Sequence, residues 1–264
     1  MASRPSYWNG RTFPKAAQRL ILPSGRALED AVVWPGFCQD ELGLDPDKLW
    51  KELLAIPTWP IDKPIPFRKN GDKPHWITGK HKSLHMRGNP IPRAKIWCQS
   101  DYSAGLRRYY YAGWKFKIAL ATHAIEHVPP IRKIADRLNQ GLVRSGQLPH
   151  NHWIVTRYKD QDDNIKPHPD QEKDFSKNSF FIVIKFGEPR PFAFQLPGHK
   201  RPFYNQALSA GTAVFVRCKG ASAANWFVNH GVPKMKEDVG LSGSIVSRCI
   251  TTVIPWDKVI KKAK

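Results

Sequence analysis

Three side chains carry the chemistry that this sequence suggests. His168 and Asp170 stand two residues apart in NIKPHPDQEKDF (164–175). In an extended chain, residues i and i+2 point to the same side, so one imidazole and one carboxylate converge. A second histidine, His230, follows 62 residues later in FVNHGVP, directly after another strand-like run. Two imidazoles and a carboxylate on one face of an ion leave three positions open, an arrangement that suits Fe(II) with a cosubstrate and oxygen. Zinc is the chemical alternative. The chain has ten histidines, so surface or hydrogen-bonded histidines at this spacing are the bland reading.

A fourth residue bears on the choice. Arg248 lies 18 residues after His230 in SGSIVSRCITTVIPW, on an expected barrel strand. A buried arginine requires an anion, because an unpaired charge inside a protein is costly. A dicarboxylate cosubstrate held by bidentate hydrogen bonds would supply one. The alternatives are a protein carboxylate as partner, or an arginine that points to solvent.

The elements that must position these groups are mostly strands. HWIVTRY, SFFIVIKF, PFAFQL, TAVFVR and SIVSRCITTVI are β-branched or aromatic runs separated by Gly, Pro, Asp or Asn, from Asn151 onward. Strands at this spacing predict a barrel or sandwich behind a helical layer. DPDKLWKELLAI (45–56) predicts one helix, capped by Asp45 with Pro46 in its first turn. PPIRKIADRLNQGLV (129–143) predicts a second, with Ile131, Ile134, Ala135 and Leu138 on one face. AVVWPGFC (31–38) reads as a short strand ending in a turn, and RRYYYAGWKF (107–116) as strand-like. Residues 1–28 read as an irregular arm, 29–257 as one domain, and 258–264 as a basic tail.

Charge narrows the partner. Lys and Arg number 42 against 22 Asp and Glu, a formal net charge of +20, which favours polyanions such as phosphate backbones. Within 57–115 the prolines are frequent and the cations outnumber the acids. Arg68, Lys69, Lys80 and Lys82 there are expected to track a nucleic-acid backbone, with Trp76, His75, His81 and His85 interleaved for stacking. A solvated loop is the alternative. The four cysteines form no CxxC pair, and no apolar leader or membrane-length stretch is present. The expectation is therefore a monomer inside the cell, in nucleus or cytoplasm, with no membrane partner.

Several blocks in order resemble the AlkB family of 2-oxoglutarate dioxygenases, in its nucleic-acid demethylase branch. They are IPRAK (91–95), YYYAG (109–113), TRYKDQDDNIKPHPDQE (156–172), FFIVIKFGEPRPFAF (180–194), NHGVP (229–233) and SRCITT (247–252). The resemblance covers roughly residues 31–256. It implies an α+β, mostly β fold: a double-stranded β-helix with supporting helices and an N-terminal substrate-recognition lid. It implies Fe(II), 2-oxoglutarate and O2 as cofactors, with His168, Asp170 and His230 as iron ligands. Arg248 would clamp a cosubstrate carboxylate, with Tyr158, Thr252 and Thr156 beside it. Tyr109, Tyr111, Glu172 and Arg93 would meet the substrate base. The sequence departs from the family at Thr156, where Asn is usual, at Gln171, where an acid is usual, and at Ile254, where a second Arg is usual.

The implied reaction is oxidative demethylation or dealkylation of an N-alkylated base in DNA or RNA, the hydroxylated methyl leaving as formaldehyde. The alternatives are an enzyme that leaves a hydroxylated base in place, a protein or small-molecule hydroxylase on the same fold, and a nucleic-acid binder without turnover.

Overall fold

A computed structural model describes residues 8, 13–58, 73–77, 85–86, 89–90, 93–100, 107–109, 123–170, 174–218 and 224–255. In chain order the strands are β1 (Gln18–Ile21), β2 (Ala27–Trp34), β3 (His85–Met86), β4 (Asn89–Pro90), β5 (Ala94–Gln99), β6 (Arg107–Tyr109), β7 (His123–Ala124) and β8 (His152–Tyr158). They continue with β9 (Ile165–His168), β10 (Phe180–Gly187), β11 (Arg190–Gln195), β12 (Tyr204–Leu208), β13 (Ala213–Arg217), β14 (Asn229–Val232), β15 (Ser242–Arg248) and β16 (Val253–Pro255). The helices are α1 (Phe37–Asp40), α2 (Pro46–Leu54), α3 (Pro129–Arg144) and α4 (Ala224–Phe227).

Two sheets form the body. The larger runs β1-β2-β13-β10-β15-β8-β5-β7 and the smaller β12-β11-β14-β9. From β8 to β15 the chain passes back and forth between them, which makes a double-stranded β-helix. Period-2 alternation assigns each side chain of the large sheet to one of two cores. Phe180, Ile182 and Ile184 of β10 face outward, and Phe181 and Val183 face the barrel interior with Phe192 and Phe194 of β11.

The outer core is closed by helices. In α2, Leu49, Trp50 and Leu53 recur at helical spacing, and Asp45 accepts hydrogen bonds from the Asp47 and Lys48 amides at 2.9 and 3.1 Å. In α3 the buried stripe is Ile131, Ile134, Ala135, Leu138 and Leu142. Gly141 interrupts that helix for a steric reason: a Cβ there would lie 2.0 Å from the Trp8 ring. Glycine costs a helix interior about 1 kcal/mol, and here the indole fills the space.

Two expectations change. The described part of the expected arm, Trp8 and residues 13–28, is built into the fold: Trp8 is 1% exposed in the outer core, and β1 pairs with β2. The expected single strand over 244–254 is two. β15 ends at Arg248 because Asn151 captures Ile250, its side chain accepting from the Ile250 amide and donating to the Ile250 carbonyl, each at 2.9 Å. The chain then turns away to β16, which pairs with β6. Besides β1, five strands, β5, β7, β9, β12 and β14, complete the two sheets without having been singled out as runs. Among the described residues, no helix is long and apolar enough to cross a membrane, and the four cysteines are buried outside any disulfide. The tail 258–264 and most of the lid expected over 57–115 lie outside the described residues.

Candidate metal centre and its cavity

The interior face of the large sheet is organised in rungs. Paired residues on β10, β15, β8 and β5 form the row Lys185–Ser244–Thr156–Lys95. The next inward row is Val183–Val246–Ile154–Trp97, and the one after it Phe181–Arg248–His152–Gln99. A polar rung and a charged rung are thus separated by an apolar one. With a rise of about 3.3 Å per residue, the outer two rungs stand about 13 Å apart along the strands. A cavity of about 710 Å³ runs over this surface, lined among others by Arg93, Lys95, Tyr158, Lys185, Arg248 and the three candidate ligands.

Those ligands meet where the small sheet faces the charged rung. β9 ends at His168, and β14 carries His230 directly opposite it in register. The two imidazole centroids are 4.6 Å apart. Asp170 follows just beyond the end of β9, with its carboxylate 3.9 Å from the His168 Nε2. One ligand atom from each of the three residues lies within 4.8 Å of the others. Gly231 permits this approach of β14 to β9, since a Cβ there would sit 2.6 Å from the Ile165 carbonyl.

Protonation suits a metal. The His168 Nδ1 lies 2.8 Å from the Lys166 carbonyl, which can only accept, so Nδ1 carries a proton and Nε2 is the nitrogen turned toward Asp170. Burial, then the neighbouring His168, pushes the His230 imidazole down to about 3 and keeps it neutral. Its ring packs between Phe181 and Phe192, and its buried Nδ1 has no hydrogen-bond partner. Burial alone would raise the Asp170 carboxyl, but Arg248 and the two imidazoles hold it well below the usual range, so it is ionised. A neutral imidazole at His230 and an ionised carboxylate at Asp170 are the states in which such residues bind a cation.

Arg248 is placed differently from the sequence expectation. Its Nε and Nη2 donate to the two oxygens of Asp170 at 3.0 and 3.3 Å. The buried anion that this arginine required is the carboxylate of a candidate metal ligand, the protein partner that stood as an alternative. Asp170 is held from a second side by a residue that the sequence did not reveal. The Asn225 side chain accepts from the Asp170 amide and donates to the Asp170 carbonyl, both at 3.0 Å. Nothing in ANWF marks that asparagine, because its partner is 55 residues away.

Tyr158 and Thr156 line the cavity. Tyr158 is 1% exposed. The Lys185 ammonium lies 5.1 Å and the Arg190 guanidinium 5.0 Å from the centre of its ring, and its oxygen contacts the Ser244 hydroxyl. Burial is the main cause that raises its phenol. Arg190 itself donates to the carbonyl oxygens of Asp160 and Asp163. Arg93 lies in the lining. Thr252 does not: its hydroxyl donates to Asp174 at 2.8 Å, on the chain that has turned away after β15. Tyr109 ends β6 with its backbone opposite Val253. Tyr111, Glu172, Arg68, Lys69, Lys80 and Lys82 lie outside the described residues.

Lys185 and Lys95 were missed. The available signal for Lys185 was a lone cation inside FFIVIKF, at the inward parity of Phe181 and Val183. Burial, followed by Arg93 and Arg248, brings Lys95 down to about 7.

No protein-family model matches this chain, and no curated protein matches it. Among solved structures, one described as an oxidoreductase of the 2OG-Fe(II) oxygenase family from Burkholderia pseudomallei is similar over 83% of this chain and 84% of that one, at 15% identity and a TM-score of 0.45.

Proposed function

We propose that this chain is an Fe(II)- and 2-oxoglutarate-dependent dioxygenase acting on nucleic acid, removing N-alkyl groups from bases by oxidation. The observation that carries the reading is the convergence of His168, Asp170 and His230 on the wall of a large cavity. Those three residues would hold the iron. Bound iron supplies oxygen activation and, with 2-oxoglutarate as reductant, oxidation of a C–H bond. The chain's own residues do the rest. Arg248 and Asn225 orient the Asp170 carboxylate, and Phe181 and Phe192 fix the plane of the His230 ring.

Support for a nucleic-acid substrate comes from charge and space. The net charge of +20 favours a polyanion. Arg93, Lys95 and Lys166 add cations to the cavity wall. A base oxidised on an alkyl group must leave its stack and enter a pocket, and about 710 Å³ is in the range of pockets that hold a small molecule nearly whole.

The test is succinate formation by the iron-loaded protein with a panel of methylated and unmodified DNA and RNA oligonucleotides. Stimulation by a methylated oligonucleotide, with formaldehyde released, is the expected result. A gain of one oxygen on the base without formaldehyde would replace dealkylation by stable hydroxylation. Turnover that no oligonucleotide stimulates would remove the nucleic-acid part. Absence of turnover with iron bound would remove the oxygenase.

A further inference from the structure

Among the described residues, the metal centre is open to solvent on the side of β9. The His168 side chain is 44% exposed, whereas those of Asp170 and Arg248 are 1% and 7% exposed. Asn164, Ile165, Lys166 and Pro167 continue the cavity wall outward from His168, and Lys166 and Pro167 are exposed. A substrate entering on this side passes both of them.

The strand is irregular at that point. His168 pairs with His230 and Ile165 pairs with Val232. Two residues, Lys166 and Pro167, therefore stand opposite one, Gly231, which is a β-bulge. The extra residue lets Ile165 and His168 share the inner side, three positions apart, with Ile165 packed on the interior core. The sequence is suited to the bulge. Pro167 has no N–H to leave unpaired. Gly231 has no Cβ, and one there would lie 2.6 Å from the Ile165 carbonyl and 3.1 Å from the Pro167 nitrogen. Bulges beside active sites re-aim side chains, and the side chain freed from the alternation here is a cation.

That cation is unmatched, unlike its neighbours. Lys159 lies 3.8 Å from Asp160, and Lys234 lies 2.9 Å from Asp162. Asp163 accepts from the Lys159 amide. The acids of the loop before β9 are thus engaged elsewhere. Among the described residues, the Lys166 side chain makes no ion pair and no hydrogen bond. Its main-chain carbonyl already serves the His168 Nδ1. Lysines also protect sheet edges from unwanted pairing, but Pro167 and the bulge already do that for β9, and Lys166 stands in the cavity wall. Its Cα is at most about 7 Å from that of His168, so an anion on its ammonium lies close to the group being oxidised. For a nucleotide whose base faces the metal, that anion is one of the two phosphates flanking its sugar.

We propose that Lys166, set out by the bulge, binds a backbone phosphate next to the nucleotide whose base faces the metal. This assignment rests on the nucleic-acid reading above. It adds a requirement to that reading: the charge of one particular linkage matters, and the rest of the strand contributes general attraction. The bulge ties the two tasks together, because the same two residues shape the metal side of β9 and hold the strand in register with it.

The experiment is a fluorescence-anisotropy titration of labelled short DNA and RNA single strands with protein saturated with Mn(II), without oxygen. Each strand carries one central 1-methyladenine or 3-methylcytosine. Each is made fully charged, and again with the linkage on one side or the other of the methylated base replaced by a neutral methylphosphonate. For the wild type, one of the two replacements should weaken binding by about 10-fold. Lys166→Gln should bind the fully charged strand about 10-fold more weakly than the wild type and be indifferent to that replacement. Its slope of log affinity against log salt should be shallower by about 0.7, the loss of one phosphate contact. Lys166→Arg should restore both the affinity and the sensitivity to the replacement. A Lys166→Gln protein that still responds to the replacement as the wild type does overturns the assignment and leaves the nucleic-acid reading standing. So does a wild type that binds the strands and ignores both replacements. A wild type that binds none of the strands overturns both.

Discussion

The two ends of the cavity solve the same electrostatic problem in opposite ways. At the metal end every charge is answered within the protein: Asp170 holds Arg248 by two hydrogen bonds, and its backbone is held by Asn225 at both donor and acceptor. At the Tyr158 end the charge is left open, with Lys185 buried and without a hydrogen bond. The difference separates preorganisation from binding. A satisfied network fixes geometry before any ligand arrives, and an unsatisfied cation stores a preference that only a ligand releases. Substitutions at the two ends should therefore differ in the sign of their effect on the empty protein.

The largest effect is expected at Asp170. Asp170→Ala removes a metal ligand and strands Arg248, so turnover should fall by more than about 1,000-fold and stability by about 3–5 kcal/mol. Succinate assays and urea unfolding measure the two losses, and an unchanged unfolding midpoint would show that the pair does not hold the fold. Arg248→Met comes next. Asp170 keeps its place but loses its orientation, and Mn(II) affinity should drop by about 10- to 100-fold. Asn225→Ala should weaken Mn(II) binding by about 10-fold with a smaller loss of stability, about 1–3 kcal/mol for a buried group left unpaired. Paramagnetic resonance of free Mn(II) reads both, and equal affinities for wild type and variants would assign these contacts to the fold alone.

The smallest effect concerns pH, and it belongs to the open end. Burial holds Lys185 at about 7 in the folded chain, below the value of about 10.4 for a solvated lysine. Below pH 7 both folded and unfolded chains carry the proton, and the burial penalty is present in full. Between pH 7 and about 10.4 the unfolded chain holds the proton while the folded chain releases it, so stability rises with pH across that window. Lys95 shares the window, again mainly through burial. Unfolding midpoints of ligand-free wild type should therefore increase from pH 7 to 10, and Lys185→Met should show a shallower increase. Identical slopes would mean that Lys185 keeps its charge across that range.

The contrast also explains what could be read from the residues. The convergence of His168, Asp170 and His230 was legible because a candidate metal site imposes both residue type and local spacing, and strand alternation converts spacing into direction. Tyr158 and Thr156 were legible for the same reason, as inward positions of HWIVTRY. The helices announced themselves through Asp45, the prolines and the 3.6-residue stripe of α3. Arg248 was found, but its partner was misassigned. An arginine states that it needs an anion and does not state which, and the pairing of β15 with β8 and β10 decides that it faces Asp170. Asn225, Lys185 and Trp8 acquire meaning only through partners 27 or more residues away. Trp8 looked like part of an irregular arm because Gly141, the residue that makes room for it, looked like a mere helix defect.

Asp170 depends on Asn225, 55 residues later, and on Arg248, 78 residues later. A chain leaving the ribosome passes through a long interval in which His168 and Asp170 exist but nothing holds them. Such distant contacts are among the last that a folding polypeptide closes. The candidate metal centre is therefore a late product of folding, and its formation certifies that almost the whole barrel has been made. Fragments ending before Arg248, whether from stalled synthesis or proteolysis, would carry His168, Asp170 and His230 without holding them in this arrangement.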